Sequence, residues 1–154
     1  MIMKTRKEAL LEIFNSHPEN SLFVVSTGFL CRSVYNLFPD KKNIFYMQGS
    51  MGLAPCIALG VALNTSKDVV VINGDGAHLM HLGITHTIRD ENLKNLYHYI
   101  LDNGSHESVG GYKCASLEKS YCGVNKIFKI SKDGKSSRVG FDFEDNKNNF
   151  VESI

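Results

Sequence analysis

The segment VVVINGDGAHLM, residues 69–80, joins an apolar, β-branched run to a helix-like run through a few small and polar residues. The first run predicts a buried strand over 68–73, and the spacing that follows predicts a helix over 77–89. Glycines at such a junction let backbone N–H groups approach a phosphate. A phosphate would repel the carboxylate of Asp75 in the same turn unless a divalent cation lay between them. Because Mg²⁺ binds carboxylate, carbonyl and phosphate oxygens together, Asp75 is a candidate metal ligand.

Strand-like and helix-like runs alternate along most of the chain. Further strands are predicted at 21–26, 43–47, 95–103 and 126–131, and further helices at 3–17, 29–38, 52–63 and 115–123. This alternation predicts an α/β fold with a mostly parallel sheet and helices on both faces. We interpret residues 1–131 as one domain. The polar residues 132–154, which lack clear periodicity, are expected to form an irregular tail.

Small and polar clusters follow three of the predicted strands. They are STG at 26–28, NGDG at 73–76 and DNGSHESVGG at 102–111. Ligands of parallel sheets bind at the carboxyl ends of the strands, so these clusters predict one binding site. Asn103 ends the strand after the one that leads to Asp75. Its amide oxygen, with a backbone carbonyl just beyond it, is therefore expected to complete the protein's share of the metal ligands.

The composition argues against several classes of partner and location. Seventeen Lys and Arg residues balance 16 Asp and Glu residues, which gives no electrostatic reason to expect nucleic acid or an anionic membrane as a partner. The apolar runs are too short to cross a bilayer, and no signal-peptide pattern opens the chain. Four cysteines without metal-ligand spacing indicate reduced, structural thiols, with a disulfide pair as the alternative. We therefore expect a cytoplasmic protein.

The sequence resembles the diphosphate-binding domain of thiamine-diphosphate enzymes. Gly74-Asp75-Gly76 is followed after 26 residues by Asn103, and QGSMGLA (48–54) and STGFLCR (26–32) are similar to the segments that contact the cofactor's pyrimidine and diphosphate in that family. Within the family, NGDGAHLMHLG and LDNGSHESVGGY look most like the phosphonopyruvate and sulfopyruvate decarboxylases, with the phosphonopyruvate type nearer. The resemblance implies thiamine diphosphate and Mg²⁺ as cofactors and a small anionic 2-oxo acid as substrate.

The resemblance also implies roles for individual residues. The carbonyl of Gly49 would accept from the 4′-amino group, Met51 would wedge between the cofactor rings, and Ser105 would bind the metal through its backbone carbonyl. The cofactor-binding residues implied are Thr27, Gly28, Gly49, Ser50, Met51, Gly74, Asp75, Gly76, Ala77 and Asn103. The metal ligands implied are Asp75, Asn103 and Ser105, and the residues expected to contact substrate or relay a proton are His106 and Ser108.

The family also uses a glutamate that activates the cofactor from a second, pyrimidine-binding domain. The 154 residues correspond to the diphosphate-binding half alone. The resemblance therefore implies a β-type subunit or a C-terminal domain, completed by a pyrimidine-domain partner that supplies the glutamate. The activity implied is decarboxylation of 3-phosphonopyruvate to phosphonoacetaldehyde.

Several other interpretations remain. A dinucleotide-binding domain would need a third glycine in a GxGxxG pattern, which the loop after the 68–73 strand lacks. A non-catalytic cofactor-binding subunit would carry the same motifs without turnover. Asp75 could simply cap a helix, and Asn103-Gly104 could form a simple turn. His78 and His81 have helical spacing for a zinc pair, but no third ligand is suitably spaced.

Overall fold

The computed structural model describes residues 3–134 and 137–154. Residues 1–2 of the predicted domain and 135–136 of the predicted tail lie outside this description. The strands are β1 (Leu22–Val25), β2 (Ile44–Tyr46), β3 (Val69–Gly74), β4 (Leu96–Asp102), β5 (Ser105–His106), β6 (Tyr112–Lys113) and β7 (Lys126–Lys129). The helices are α1 (Arg6–Asn15), α2 (Phe29–Leu37), α3 (Ala54–Ala62), α4 (Asp75–Met80), α5 (Ile84–Glu91) and α6 (Phe143–Ser153).

The central sheet has five strands in the order β2-β1-β3-β4-β7, and every neighbouring pair is parallel. All four residues of β1 are buried, as are the first five of β3, because both faces of these strands are covered. Helices α1 and α2 pack on one face, and α3, α5 and α6 pack on the other. The predicted α/β fold with a parallel sheet between two layers of helices is confirmed.

The start of the chain lies beside the carboxyl edge of the sheet. Lys4 forms an isolated parallel bridge with Ile130, just beyond β7, and its carbonyl accepts from the N–H of Ser131 at 2.9 Å. Thr5 then begins α1 with a capping box, in which its side chain and that of Glu8 each bond to the other's backbone N–H. This arrangement brings the first residue of α1 next to the loop that follows β4.

The helix predicted over 77–89 is two helices, α4 and α5, separated at 81–83. Gly83 has a low helix propensity. The hydroxyl of Thr85 bonds to the carbonyl of Leu82 at 2.7 Å, which offers the backbone a local alternative to the helical bond. Three-residue turns therefore replace the α-helix at this point.

The helix predicted over 115–123 is wrong, because this segment contains no helix and ends in a single turn at 122–123. Contacts with α4 and α5 decide its path instead. Tyr121 packs edge-on against His78 with 4.6 Å between ring centroids, and Gly123 has a φ of 68°. A Cβ at Gly123 would lie 2.4 Å from the carbonyl oxygen of Thr85, so the backbones approach too closely for any other residue.

The expectation of an irregular tail is wrong for residues 143–153, which form α6. The carboxylate of Asp142 caps this helix by accepting from two backbone N–H groups in its first turn. Phe150 is buried and packs on Phe45 of β2, with 5.5 Å between ring centroids. At 11 residues α6 is the longest helix, and across 3–134 and 137–154 we find no helix with the length and apolarity to cross a membrane.

Asn146 of α6 forms hydrogen bonds with β2, which lies at one edge of the sheet. The side-chain amide of Asn146 accepts from the N–H of Tyr46 at 3.1 Å and donates to the carbonyl of Ile44 at 2.8 Å. Both bonds lie on the side of β2 that faces away from β1. The helix therefore completes the hydrogen bonding of a strand that has a neighbour on one side only.

All four cysteines have free thiols. Cys31 and Cys114 are buried, and Cys56 and Cys122 are half-buried. Burial raises the pKa of Cys31 and of Cys114 to about 11.

Candidate functional site

A cavity of about 470 Å³ opens where the loops after β1, β3 and β4 meet. These are the three loops whose polar clusters predicted a common site. The predicted residues in its lining are Thr27, Gly28, Met51, Gly74, Asp75, Gly76, Ala77, Asn103, Ser105, His106 and Ser108. Gly49 and Ser50 lie outside this lining, and Ser50 instead borders a neighbouring groove of about 540 Å³ beside α6.

The candidate metal ligands converge on one backbone nitrogen. The N–H of Ser105 donates to Asp75 Oδ2 at 3.2 Å and to Asn103 Oδ1 at 3.0 Å. The other carboxylate oxygen, Asp75 Oδ1, accepts from the N–H of Gly76 at 2.9 Å. β3 and β4 are adjacent and parallel, so their carboxyl ends hold the carboxylate and the amide side by side. The result is a cluster of oxygen donors of the kind that a hard divalent cation binds.

Electrostatics within this cluster favour a cation. Asp75 is 4% exposed, and burial raises the pKa of its carboxyl group. The N–H of Gly76 opposes this shift, while the nearby carboxylate of Asp102 raises the pKa further. Asp102 itself forms an ion pair with Lys129. A divalent ion bound at Asp75 would stabilise the buried carboxylate charge and offset the cost of burying it. The residues present therefore fit a Mg²⁺ site.

Gly76 lies in contact with two predicted site residues, His106 and Met51. A Cβ at this position would lie 2.5 Å from Cε1 of His106 and 3.3 Å from Cε of Met51. The absence of a side chain therefore lets the imidazole and the thioether approach the backbone of α4 from the cavity. The fold places Met51 beside Gly76, which lies 25 residues later in the chain, and Ser105 beside Asp75, which lies 30 residues earlier.

Gly28, in the loop after β1, has a similar role. Its φ of 87° is a conformation that favours glycine, and a Cβ there would lie 2.9 Å from Oγ of Ser108. Gly28 precedes the nine-residue helix α2 and provides no side chain to cap it. The first residues of α2 line the cavity next to Thr27, and the first N–H groups of a helix have no partner within it, so this position is suited to binding a phosphate.

Sequence reasoning missed four charged residues of the cavity lining, Arg6, Arg32, Glu107 and Arg138, and the ion pair between Arg6 and Glu107. Arg6 Nη2 donates to Glu107 Oε2 at 2.6 Å. Glu107 Oε2 also accepts from Asn103 Nδ2 at 2.8 Å. The sequence could have indicated Glu107, because it lies only four residues after the candidate ligand Asn103. Arg6 gave no such indication, because its contact with the site spans 101 residues of sequence.

The histidines of α4 take different positions. His78 is buried and packs edge-on against His98 of β4, with 5.6 Å between ring centroids, whereas His81 is exposed. Within 3–134 and 137–154 no three His, Cys, Asp or Glu side chains form a group that could hold a metal ion. The oxygen cluster described above is of another kind, because it combines one carboxylate with the oxygen of a side-chain amide.

Comparison with known proteins identifies relatives of this domain. Residues 27–145 match the family model of the thiamine pyrophosphate enzyme C-terminal TPP-binding domain. The chain is 44% identical over 112 residues to the phosphonopyruvate decarboxylase of Streptomyces hygroscopicus, which covers 73% of this chain and 28% of that protein. It is 40% identical over 108 residues to sulfopyruvate decarboxylase subunit beta of Methanocaldococcus jannaschii, which covers 70% of this chain and 57% of that subunit.

A third relative, the sulfopyruvate decarboxylase of Methanosarcina acetivorans, is 35% identical over 127 residues, covering 77% of this chain and 33% of that protein. The chain thus spans between about a quarter and three fifths of the length of these three relatives. The family match covers most of the chain and includes all three loops of the cavity. On these grounds the chain belongs to the family of thiamine pyrophosphate enzyme C-terminal, TPP-binding domains.

Proposed function

We propose that this chain is the diphosphate-binding subunit or domain of a thiamine-diphosphate-dependent decarboxylase that converts 3-phosphonopyruvate to phosphonoacetaldehyde and CO₂. The observation that carries the proposal is the convergence of Asp75 Oδ2 and Asn103 Oδ1 on the N–H of Ser105 at the edge of the cavity. These oxygens supply what a metal-bridged diphosphate requires. The identity of 44% to a phosphonopyruvate decarboxylase supports the substrate.

The chain's own residues would hold the cofactor at its charged end. Asp75, Asn103 and the carbonyl of Ser105 would bind Mg²⁺, and the N–H groups at the start of α2 would bind the diphosphate beside Thr27 and Gly28. Met51 and Gly49 would contact the rings, with the thioether of Met51 resting over Gly76. When bound, thiamine diphosphate supplies the carbon nucleophile and the electron sink that 2-oxo acid decarboxylation needs.

His106 and Ser108 are proposed to face the substrate. His106 lies against Gly76 at the start of α4, Ser108 lies against Gly28 in the loop after β1, and both side chains line the cavity. A hydroxyl and an imidazole there can orient an anionic 2-oxo acid, and the imidazole can hold or deliver a proton. The cavity is open enough, at about 470 Å³, to admit both a cofactor end and a small substrate.

A pyrimidine-binding partner would complete the site. The chain covers 57% of a relative named as a beta subunit, and 28% of a phosphonopyruvate decarboxylase. We propose that the activating glutamate comes from that partner or from a further domain. Sulfopyruvate is the second candidate substrate, because three of the relatives are named as beta subunits of sulfopyruvate decarboxylase.

The test is aldehyde formation by this chain combined with its pyrimidine-domain partner, in the presence of Mg²⁺ and thiamine diphosphate. Phosphonopyruvate, sulfopyruvate and pyruvate are compared in parallel, and Asp75→Ala is the control. We expect turnover of phosphonopyruvate above that of the other two acids, and its loss in the control. A complex that binds the cofactor and turns over none of the three would instead favour a non-catalytic subunit.

A further inference from the structure

The carboxylate of Glu107 joins three separate parts of the chain. Its Oε2 accepts from Arg6 Nη2 at 2.6 Å and from Asn103 Nδ2 at 2.8 Å. Its Oε1 accepts from the N–H of Gly134 at 2.9 Å. The Arg6 and Glu107 side chains are 5% and 13% exposed, so this ion pair is largely shielded from water. Glu107 therefore links α1, the loop after β4 and the segment after β7.

These contacts, together with the N–H of Ser105, determine which end of the Asn103 amide faces the oxygen cluster. A carboxylate only accepts hydrogen bonds, so the amide NH₂ must be the group that faces Glu107. The amide oxygen then points the opposite way, where it accepts from the N–H of Ser105 beside Asp75. Only the oxygen end of an amide can bind a cation, so the bond to Glu107 supports the bond from Ser105 in keeping Asn103 a competent ligand.

We propose that Glu107 is a positioning residue for the metal: it holds the amide of Asn103 with Oδ1 toward Asp75, and Arg6 holds Glu107 in place. The inference rests on the proposed function, in which Asn103 helps to bind the Mg²⁺ of the diphosphate. Without the acceptor at Glu107, the amide turns so that its NH₂ donates to the carboxylate of Asp75. It then presents hydrogens, instead of lone pairs, to the cation.

Arg6 explains how a second acidic residue can lie near the cluster without joining it. Its guanidinium neutralises Glu107 and occupies the oxygen that faces Asn103. Arg6 is itself fixed, because its Nη1 donates to Ser33 and its backbone N–H donates to Asp133 at 2.6 Å. Arg6 precedes the residues that match the family, 27–145, so α1 contributes to the site from outside the matched segment.

The test compares two double variants of equal charge and similar size, Arg6→Met/Glu107→Gln and Arg6→Met/Glu107→Met. Both remove the ion pair, and replacing a buried pair by uncharged residues commonly preserves the fold. Only the Gln variant retains an oxygen that can accept from Asn103. The measurement is the affinity of the full chain for Mn²⁺, by electron paramagnetic resonance with thiamine diphosphate present.

We expect the Met variant to bind Mn²⁺ about 10- to 100-fold more weakly than the Gln variant, the loss typical when an outer-shell partner of a ligand is removed. Affinities within threefold of each other, or tighter binding by the Met variant, would overturn the positioning role. A wild-type chain that binds no Mn²⁺ would instead count against the proposed function. In the metal-free wild type, the Asn103 NH₂ resonances should be protected from exchange, and rapid exchange would refute the bond to Glu107 even if the variants fail to fold.

Discussion

Acidification should destabilise the protein through two buried histidines, His78 and His98, which are 1% and 0% exposed. Burial lowers the pKa of His78 to about 4. Burial, together with the neighbouring His78, lowers the pKa of His98 to about 3. Both imidazoles are therefore neutral in the folded protein across the range in which an exposed histidine becomes charged.

The size of the effect follows from proton linkage. In the unfolded chain each histidine has a pKa of about 6.5, so below that pH the unfolded state binds protons that the folded state does not. The stability is fully present above pH 6.5 and is lost progressively as the pH falls toward the folded values. At pH 5 the loss is about 2 kcal/mol for each histidine, or about 4 kcal/mol for the pair. That is a large share of a typical unfolding free energy of about 5–15 kcal/mol.

Urea unfolding at pH 7.5 and at pH 5.0 measures this loss. His78→Leu and His98→Leu each remove one titrating group, and His86→Leu removes an exposed histidine of α5 as the matched control. Between the two pH values, each buried-site variant should lose about 2 kcal/mol less than the wild type. The control should lose as much as the wild type, because His86 is solvated in both states.

The result that would refute this reasoning is equal loss in the wild type and in His98→Leu. It would mean that the His98 imidazole accepts a proton within the fold at pH 5. The neutral, desolvated state assigned to the pair would then be wrong. Any change of stability at pH 7.5 itself reports on packing and does not enter the comparison.

Three further predictions concern the site and the thiols. Gly76→Ala places a Cβ 2.5 Å from the His106 ring, so we expect weaker thiamine diphosphate binding, by calorimetry, with little change in melting temperature. Asn146→Ala removes two hydrogen bonds to β2 and should lower the unfolding free energy by about 1–3 kcal/mol in urea titration; no change would mean that water replaces the amide. The buried thiols of Cys31 and Cys114, with pKa values of about 11, should react with a thiol reagent at pH 7.5 only after unfolding, and rapid labelling of either in the native protein would contradict their placement.

Local pattern was sufficient to predict the sheet and the proximity of Asp75 and Asn103. Strands such as β3 can be recognised in the sequence because a buried parallel strand is a continuous apolar run. The meeting of Asp75 and Asn103 was predictable for a related reason: consecutive strands that are both parallel and adjacent bring their carboxyl ends together. Neither inference required knowledge of contacts between distant side chains.

The features that escaped prediction depend on such distant contacts. The path of residues 115–123 follows from close packing of Gly123 on α5, which overrides any local preference. The helix α6 is polar on most of its surface and buries a single residue, Phe150, so its periodicity is weak. The bond from Arg6 to Glu107 joins two ordinary charged residues, and no sequence pattern distinguishes them from solvated ones.

The attachment of Asn146 to β2 has a consequence for self-association. The outermost strand of a sheet presents unpaired N–H and C=O groups that can template a strand from another molecule. By occupying one donor and one acceptor of β2, the amide of Asn146 does what an added strand would do, and α6 covers the position that such a strand would take. Detachment of α6 should therefore produce dimers and larger aggregates that grow by pairing of β2 strands. At the opposite edge of the sheet, the charges of Lys126 and Lys129 on β7 disfavour such pairing.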